Sequence, residues 1–359
     1  MPADLVGGKI SSDMANILAV LLASFSVTFL LAIPFINLLY KLKFQRQREV
    51  QKDIFGVITS IVNRLHGWKV GTPNAGGILV ILVTIILSAI FYKTVPGYDI
   101  VTKLYGVNWV AVSLYSALIL FGLLGLYDDV RKFYGFDLAG AWGLRLRYKF
   151  ILQWIFALFI AWILYSKLGL NSVHVPILNN ELELGSFYIL FSAFVIVSVT
   201  NAVNITDGLD GLATGLTIIA LVAFWVLAAY DSSLDTILFI AVLTGSLLAF
   251  LYFNIFPARV WLGDTGALAL GSAVAVIALI LDSSLILPFV GFMFVVEVCS
   301  SLAQWLSKVT RDGQKIFLAA PIHHHFEAKG WDETKVTMRF WLAGAVSAFV
   351  GLFIAFIGT

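Results

Sequence analysis

The sequence predicts an all-α polytopic integral membrane protein, a single domain over residues 1–359 with about ten transmembrane helices. Three observations lead there. Of the 359 residues, 60% are hydrophobic and only 12% charged, with a mean hydropathy of +0.95. Soluble domains do not reach such values, and polytopic helical proteins do. The apolar residues come in runs long enough to cross a bilayer as helices, and the Lys and Arg residues are segregated into alternate loops.

In chain order the spans fall at about 17–40, 75–92, 107–127, 149–167, 187–203, 212–229, 236–253, 265–281, 285–306 and 338–357. The first carries its basic cluster (Lys41, Lys43, Arg46, Arg48) after the apolar run, which argues against a signal peptide. Only Asp282–Ser284 separates the eighth and ninth spans, so a tight hairpin is expected there. With the N-terminus outside, the cytoplasmic loops hold 19 of the 23 Lys and Arg, leaving Lys9, Lys93, Lys103 and Lys167 outside. That asymmetry predicts N-out, C-out. The outer loop 168–186, with His174-Val-Pro and Glu181-Leu-Glu-Leu, predicts a short surface β-hairpin in which His174 is a surface residue. A lone cysteine, Cys299, excludes intrachain disulfides and cysteine metal sites. No half-and-half repeat of the transporter kind is evident, and nothing in the charge pattern calls for a nucleic-acid partner.

The unusual polar residues gather at the predicted cytoplasmic junctions. Gly71-Thr-Pro-Asn-Ala-Gly-Gly77, with Asn74 as a candidate contact, enters span two, and Asp128-Asp129 closes span three. Asn201–Gly215 (NAVNITDGLDGLATG) joins spans five and six. Asn254 through Gly263-Asp264-Thr-Gly266 joins seven and eight, and Pro321-Ile-His-His-His-Phe-Glu327 lies in the last cytoplasmic loop. Five clusters on one side are what a membrane-embedded site open to the cytoplasm requires. Polar groups in membrane segments are costly and mark substrate or ion pathways. In the 201–215 stretch, Asn201, Asn204, Gly208, Gly211 and Gly215 would share a face if helical. The plainer reading, a glycine-rich turn capped by Asp, does not call for two asparagines. Asp231, Asp235 and Asp282 stand apart at outer ends and read as solvated loop residues.

Asp128, Asp129, Asp207, Asp210 and Asp264 would repel one another without a counter-charge, and a hard divalent cation such as Mg²⁺ resolves this. Asp128 and Asp129 point at one ligand only if the helix ends or kinks there; one would then bind metal while the other handles a proton. The alternative is a solvated helix end meeting Arg131 and Lys132. His323, His324 and His325 cannot all face one metal from a helix. A phosphate-facing pair with the third as a structural partner fits better, and Pro321 favours a turn or helix start. Lone His66 carries no signal. Trp261 could stack on a base or serve as an interface aromatic.

Together these motifs resemble the phospho-N-acetylmuramoyl-pentapeptide transferases, within the wider polyprenyl-phosphate N-acetylhexosamine-1-phosphate transferases. The resemblance rests on Tyr127-Asp-Asp-Val-Arg-Lys132, Asn201–Ala213, Phe253-Asn-Ile-Phe-Pro-Ala258, Gly263-Asp-Thr-Gly266, Ala320–Glu327 and Arg339-Phe-Trp341. It implies transfer of phospho-MurNAc-pentapeptide from UDP-MurNAc-pentapeptide to undecaprenyl phosphate, giving lipid I and UMP, in the bacterial cytoplasmic membrane. It further implies Mg²⁺, a homodimer embedded in the lipid bilayer, and an active site facing the cytoplasm. By motif position Asp264 would bind Mg²⁺ with support from Asp129, and Asp128 would act as base toward the lipid phosphate. Lys69, Asn201, Asn204, Asp207, Gly208, Leu209, Asp210 and Trp261 would serve the uridine side, with Asn254 and Gln304 nearby. Lys132 and Lys149 would lie near the phosphates, and His323–His325 would meet phosphate or sugar. Three departures stand out. Trp261 takes a place where relatives usually carry Phe. Leu65-His-Gly-Trp-Lys-Val-Gly71 differs from the commoner basic version, and the stretch 133–144 is longer and less basic. Three rivals remain: a sister GlcNAc-1-phosphate transferase, which tends to carry an Asp in place of Lys132; a cation-coupled transporter, whose acids should lie at mid-membrane; and a non-catalytic lipid-binding scaffold, which would not need five acids.

Overall fold

The computed structural model describes residues 3–45, 67–94, 106–134, 146–178, 180–231 and 233–357. His66, Arg46, Arg48, Lys103 and Arg145, with nearly all of the stretch 133–144, lie outside the described residues.

The helices are α1 (Ala3–Lys41), α2 (Gly77–Thr94), α3 (Trp109–Tyr134) and α4 (Leu146–Leu168). They continue as α5 (Tyr188–Thr206), α6 (Leu212–Tyr230), α7 (Leu234–Asn254) and α8 (Gly263–Ile280). The last are α9 (Leu287–Val290), α10 (Phe292–Thr310), α11 (Ile322–Ala328) and α12 (Glu333–Ile357). Among the described residues nine helices are long and apolar enough to cross a membrane, and α2 adds a shorter apolar segment, Gly77–Tyr92. Each of the ten expected spans therefore has its helix.

α8 lies at the centre, packed by α2, α3, α5 and α6. Of its most apolar stretch 89% is buried, against 22% for α12 and 28% for α1 at the periphery. This explains its small residues, Gly266, Ala267, Ala269, Gly271, Ser272 and Ala273, which let neighbouring helices close in. Hydroxyls join α1 to α7: Ser24 Oγ donates to the Val242 carbonyl at 2.6 Å, and Thr28 Oγ1 donates to Ser246 Oγ at 3.0 Å. In a bundle without water such groups must find internal partners.

The expected short hairpin forms. β1 (Ser172–Val175) pairs antiparallel with β2 (Asn180–Glu183), in register Ser172↔Glu183 and Val175↔Asn180. Asp282 is not a solitary solvated acid: its Oδ1 accepts the His174 backbone N–H at 3.1 Å and ties the hairpin to the turn after α8. Burial raises the Asp282 and Asp231 carboxyls above the usual range. The ninth span is not one helix. Asp282 turns at φ 45°, α9 runs for four residues with Pro288 at its start, and the chain re-enters helix α10 after Gly291. A proline is accommodated at a helix start, where its missing N–H has no intrahelical partner to lose.

The stretch 201–215 does not present one helical face. Asn201 and Asn204 ride on α5, which ends at Thr206; Asp207–Gly211 form a turn; Gly215 belongs to α6. Gly211 makes that turn at φ 75°, a conformation that favours glycine.

Candidate active site

The site is built on the N-terminus of α8. A helix begins with backbone N–H groups that have no partner within the helix. Here Asp129, completely buried on α3, supplies the acceptor. Its Oδ2 accepts the Thr265 N–H at 3.0 Å and the Thr265 hydroxyl at 2.7 Å. Its Oδ1 faces the Asp264 N–H at 3.3 Å and Asn74 Nδ2 at 3.5 Å. Asn74 arrives because its segment is clamped: its own N–H donates to the Phe44 carbonyl at 2.9 Å, and the N–H groups of Gly76 and Gly77 donate to the carbonyls of Trp261 and Leu262. Gly263 has to be glycine, since it sits at φ 75° and a Cβ there would stand 2.7–2.8 Å from Asn74 Oδ1, Ala75 N and Asp129 Oδ2.

Because α3 continues as helix to Tyr134, the adjacent acids diverge. Asp129 turns to α8, whereas Asp128 Oδ2 meets Lys132 Nζ and Lys149 Nζ, each at 3.1 Å. Both ammonium groups also reach Asp264 Oδ2, Lys132 at 2.9 Å and Lys149 in a very close contact. Asp264 Oδ1 accepts from Asn204 Nδ2 at 3.1 Å. The Asp128–Lys132 pair is thus part of a largely buried cluster, not a solvated helix end, and Arg131 instead stacks 5.7 Å over Tyr127.

Among the described residues, the carboxylates of Asp128, Asp129, Asp207 and Asp264 outnumber the ammonium groups of Lys132 and Lys149 that lie among them. Asp207 registers the excess: burial first, then the charges of Asp264, Asp129 and Asp210, push its carboxyl up to about 8, against the pull of the Gly263 N–H. Carboxylate oxygens in excess of ammonium groups suit a hard divalent cation, although among the described residues no three His, Cys, Asp or Glu side chains converge as a ligand set; Asp264 and Asp128 are the acids that could share one. Asp129 is engaged first with α8, through the Thr265 N–H and hydroxyl.

A second network adjoins the first. Asp210 Oδ1 accepts from Lys69 Nζ at 2.7 Å and Trp261 Nε1 at 3.0 Å, and Oδ2 accepts the Ala258 N–H at 2.9 Å. Glu333, at the start of α12, accepts from Lys69 Nζ at 2.5 Å and from the Asp210 N–H at 2.7 Å. Lys69 Nζ also lies 5.7 Å over the Trp261 ring.

Other expected contacts serve the framework. Asn201 exchanges amide hydrogen bonds with Gln153 of α4, at 2.7 and 3.3 Å. Asn254 accepts from Thr214 Oγ1 at 2.7 Å and donates to the Val260 carbonyl at 3.0 Å, fixing the loop before α8. Gln304 accepts the N–H groups of Ile316 and Phe317 and donates to the Phe317 carbonyl. Leu209 is buried in the apolar core. The three histidines separate, as the helical start after Pro321 requires. His323 Nδ1 meets Glu297 Oε2 at 2.9 Å, and His324 Nδ1 meets Glu327 Oε2 at 2.7 Å. His325 Nδ1 accepts the Leu318 N–H at 3.1 Å, and burial and Lys329 hold that imidazole below its usual range. His323 closes on the 207–211 turn, where a Cβ on Gly208 would collide with Nε2.

Sequence reasoning missed Glu297, Glu333 and Gln153. An acid inside the apolar run Phe292–Val298 was a usable signal. Glu333 looks like an ordinary first-turn acid, and Gln153 like any polar residue in a span.

Comparison with known proteins identifies the family. Residues 111–282 match the family model described as Glycosyl transferase family 4. The chain is 37% identical over 332 residues to a phospho-N-acetylmuramoyl-pentapeptide-transferase of Caldanaerobacter subterraneus, covering 92% of this chain and 96% of that one. It is 39% identical over 336 residues to one from Clostridium perfringens (93% and 97%), and 34% identical over 339 residues to one from Listeria monocytogenes (93% and 98%). With this identity sustained over nearly the whole length, the chain belongs to the phospho-N-acetylmuramoyl-pentapeptide-transferase family.

Proposed function

We propose that the protein transfers phospho-MurNAc-pentapeptide from UDP-MurNAc-pentapeptide to undecaprenyl phosphate, releasing UMP and forming lipid I for peptidoglycan synthesis. The observation that carries this reading is Asp264, held by Lys132, Lys149 and Asn204 at one end of the bundle with Asp128 alongside. Phosphoryl transfer needs positioning and charge neutralisation more than covalent chemistry from the protein, and this cluster offers both. An oxygen of the lipid phosphate bonds to the phosphorus bearing the sugar, and the pyrophosphate bond to UMP breaks. Lys132 and Lys149 bind phosphate oxygens. Asp128 accepts the proton of a monoprotonated lipid phosphate, if one is present. Lys69, Asp210 and Trp261 hold the uridine end. Asp264 would hold Mg²⁺, which would supply neutralisation of the phosphate charge.

Direct attack is favoured because a lipid phosphate is already an anionic nucleophile; trapping a phosphorylated aspartate would defeat it. The site faces the cytoplasm in this reading, with both termini outside and the protein a homodimer in the bacterial inner membrane. The test supplies purified protein with both substrates and Mg²⁺ and follows UMP. Release from UDP-MurNAc-pentapeptide is expected, and it should stop on chelation. D264A and D128N should each abolish turnover in a folded protein. No release, or equal release from UDP-GlcNAc, would sink the assignment.

A further inference from the structure

Glu297 is completely buried on α10, within the apolar run Phe292–Val298. A carboxylate there is costly unless paired, and its pairing is incomplete. Oε2 meets His323 Nδ1 at 2.9 Å, while Oε1 makes no hydrogen bond within the protein. His323 is itself fully buried, and its Nε2 has no protein partner either. That nitrogen abuts Gly208 in the 207–211 turn, where a Cβ would collide with it. The ring is therefore fixed on one side by Glu297 and directed on the other at the turn between α5 and α6.

Stability alone does not account for such a pair. A buried ion pair contributes little net stability, and replacing both partners with apolar groups is often neutral or stabilising. An ionised carboxylate only accepts, so it requires a proton on Nδ1. In the neutral ring Nε2 is then bare. In the imidazolium, Glu297 balances the charge and Nε2–H becomes a donor. Other titratable groups nearby are Asp207, one residue before Gly208, and His324 with Glu327 on the same short helix, its ring 4.2 Å from that of His323.

We infer that Glu297 is a positioning residue for the transfer: it fixes the His323 ring and its Nδ1–H, so that Nε2 is presented at the Gly208 turn to an anionic oxygen of the nucleotide-sugar. This rests on the transferase reading above.

The test compares wild type, E297Q, E297D, H323N and E297Q/H323N by UMP release, thermal unfolding in the same detergent, and ¹⁵N-histidine NMR of His323. Removing an outer partner of a functional histidine typically costs about 10- to 100-fold. E297Q should lose that much in kcat with little change in KM or unfolding temperature. E297D, which keeps the charge, should recover part of the loss. The double variant should be no slower than H323N. The wild-type NMR signal should show Nδ1 protonated, and E297Q should lose that signature. Activity of E297Q within twofold of wild type overturns the inference, as does an unchanged ¹⁵N signature or a double variant whose loss is the product of the two singles. If E297Q does not fold, E297D enters the same cycle. Absent wild-type turnover refutes the transferase reading, and the NMR comparison still decides the role of Glu297.

Discussion

Asp129→Asn separates a metal ligand from a helix anchor. The substitution keeps the shape of the side chain and replaces one acceptor oxygen with an NH₂ group. The surviving carbonyl will turn to its stronger partners, the Thr265 N–H and hydroxyl at 3.0 and 2.7 Å. The new NH₂ then faces the Asp264 N–H and Asn74 Nδ2, both donors. Each buried donor left without an acceptor costs about 1–3 kcal/mol. Losing a negative charge at a helix N-terminus adds about 0.3–1 kcal/mol. With one donor stranded, about 1–4 kcal/mol of destabilisation is expected. The Asp264 backbone shifts with it, and a misplacement of about 1 Å can cost on the order of 100-fold in rate. Reversible unfolding in detergent reads the first effect, UMP release the second, and a Mg²⁺ titration of activity tests the alternative role as a metal ligand. The anchor role demands that stability and kcat fall together. A variant that unfolds like wild type but needs far more Mg²⁺ would refute it and restore Asp129 as a ligand.

Other perturbations give sharp outcomes. Lys149→Met removes one of two ammonium groups from the acid cluster, so Mn²⁺ should bind more tightly while turnover falls by at least about 100-fold; calorimetry and UMP release check the two signs, and weaker Mn²⁺ binding would contradict the charge count. Glu333→Gln leaves Lys69 with one carboxylate partner and should raise KM for the nucleotide-sugar by about 10-fold, equivalent to roughly 1.4 kcal/mol, with a smaller change in kcat; an unaltered KM would detach Glu333 from the uridine side. Gly263→Ala places a methyl against Asn74, Ala75 and Asp129 at a positive φ and should cost about 1–3 kcal/mol of unfolding free energy, measurable by denaturation; wild-type stability would show that the loop yields.

The broad features were legible because they follow from solvent. Apolar runs revealed the spans, and polar residues gathered at alternate junctions pointed to a common end, where Asn204, Lys132, Lys149 and Asp264 do meet. Pairings made across helices were hidden. Asn201 looked like a substrate contact because its partner, Gln153, lies 48 residues away with no periodicity to link them. Gln304 and Asn254 likewise hold loops whose paths no local pattern specifies. The divergence of Asp128 and Asp129 depended on whether α3 stops at the pair, and the helix in fact continues to Tyr134. The cation argument was half complete: five acids were seen to need counter-charge, but Lys132, Lys149 and Lys69 supply part of it.

The location of that remaining charge has a structural cause. A helix N-terminus inside a membrane bundle cannot leave its N–H groups to water and must borrow an acceptor from elsewhere. For α8 the acceptor is a carboxylate, because one side chain can then serve the Asp264 and Thr265 N–H groups and the Thr265 hydroxyl together. The partly positive helix end that Asp129 neutralises also favours Asp264 in its first turn. Asp264 therefore does not need its oxygens for holding the helix, and they remain directed at Lys132, Lys149 and Asn204. Two adjacent acids on α3 divide the work because they leave their helix in different directions. Asp129 fixes the position of α8, and Asp128 joins the cluster that α8 presents.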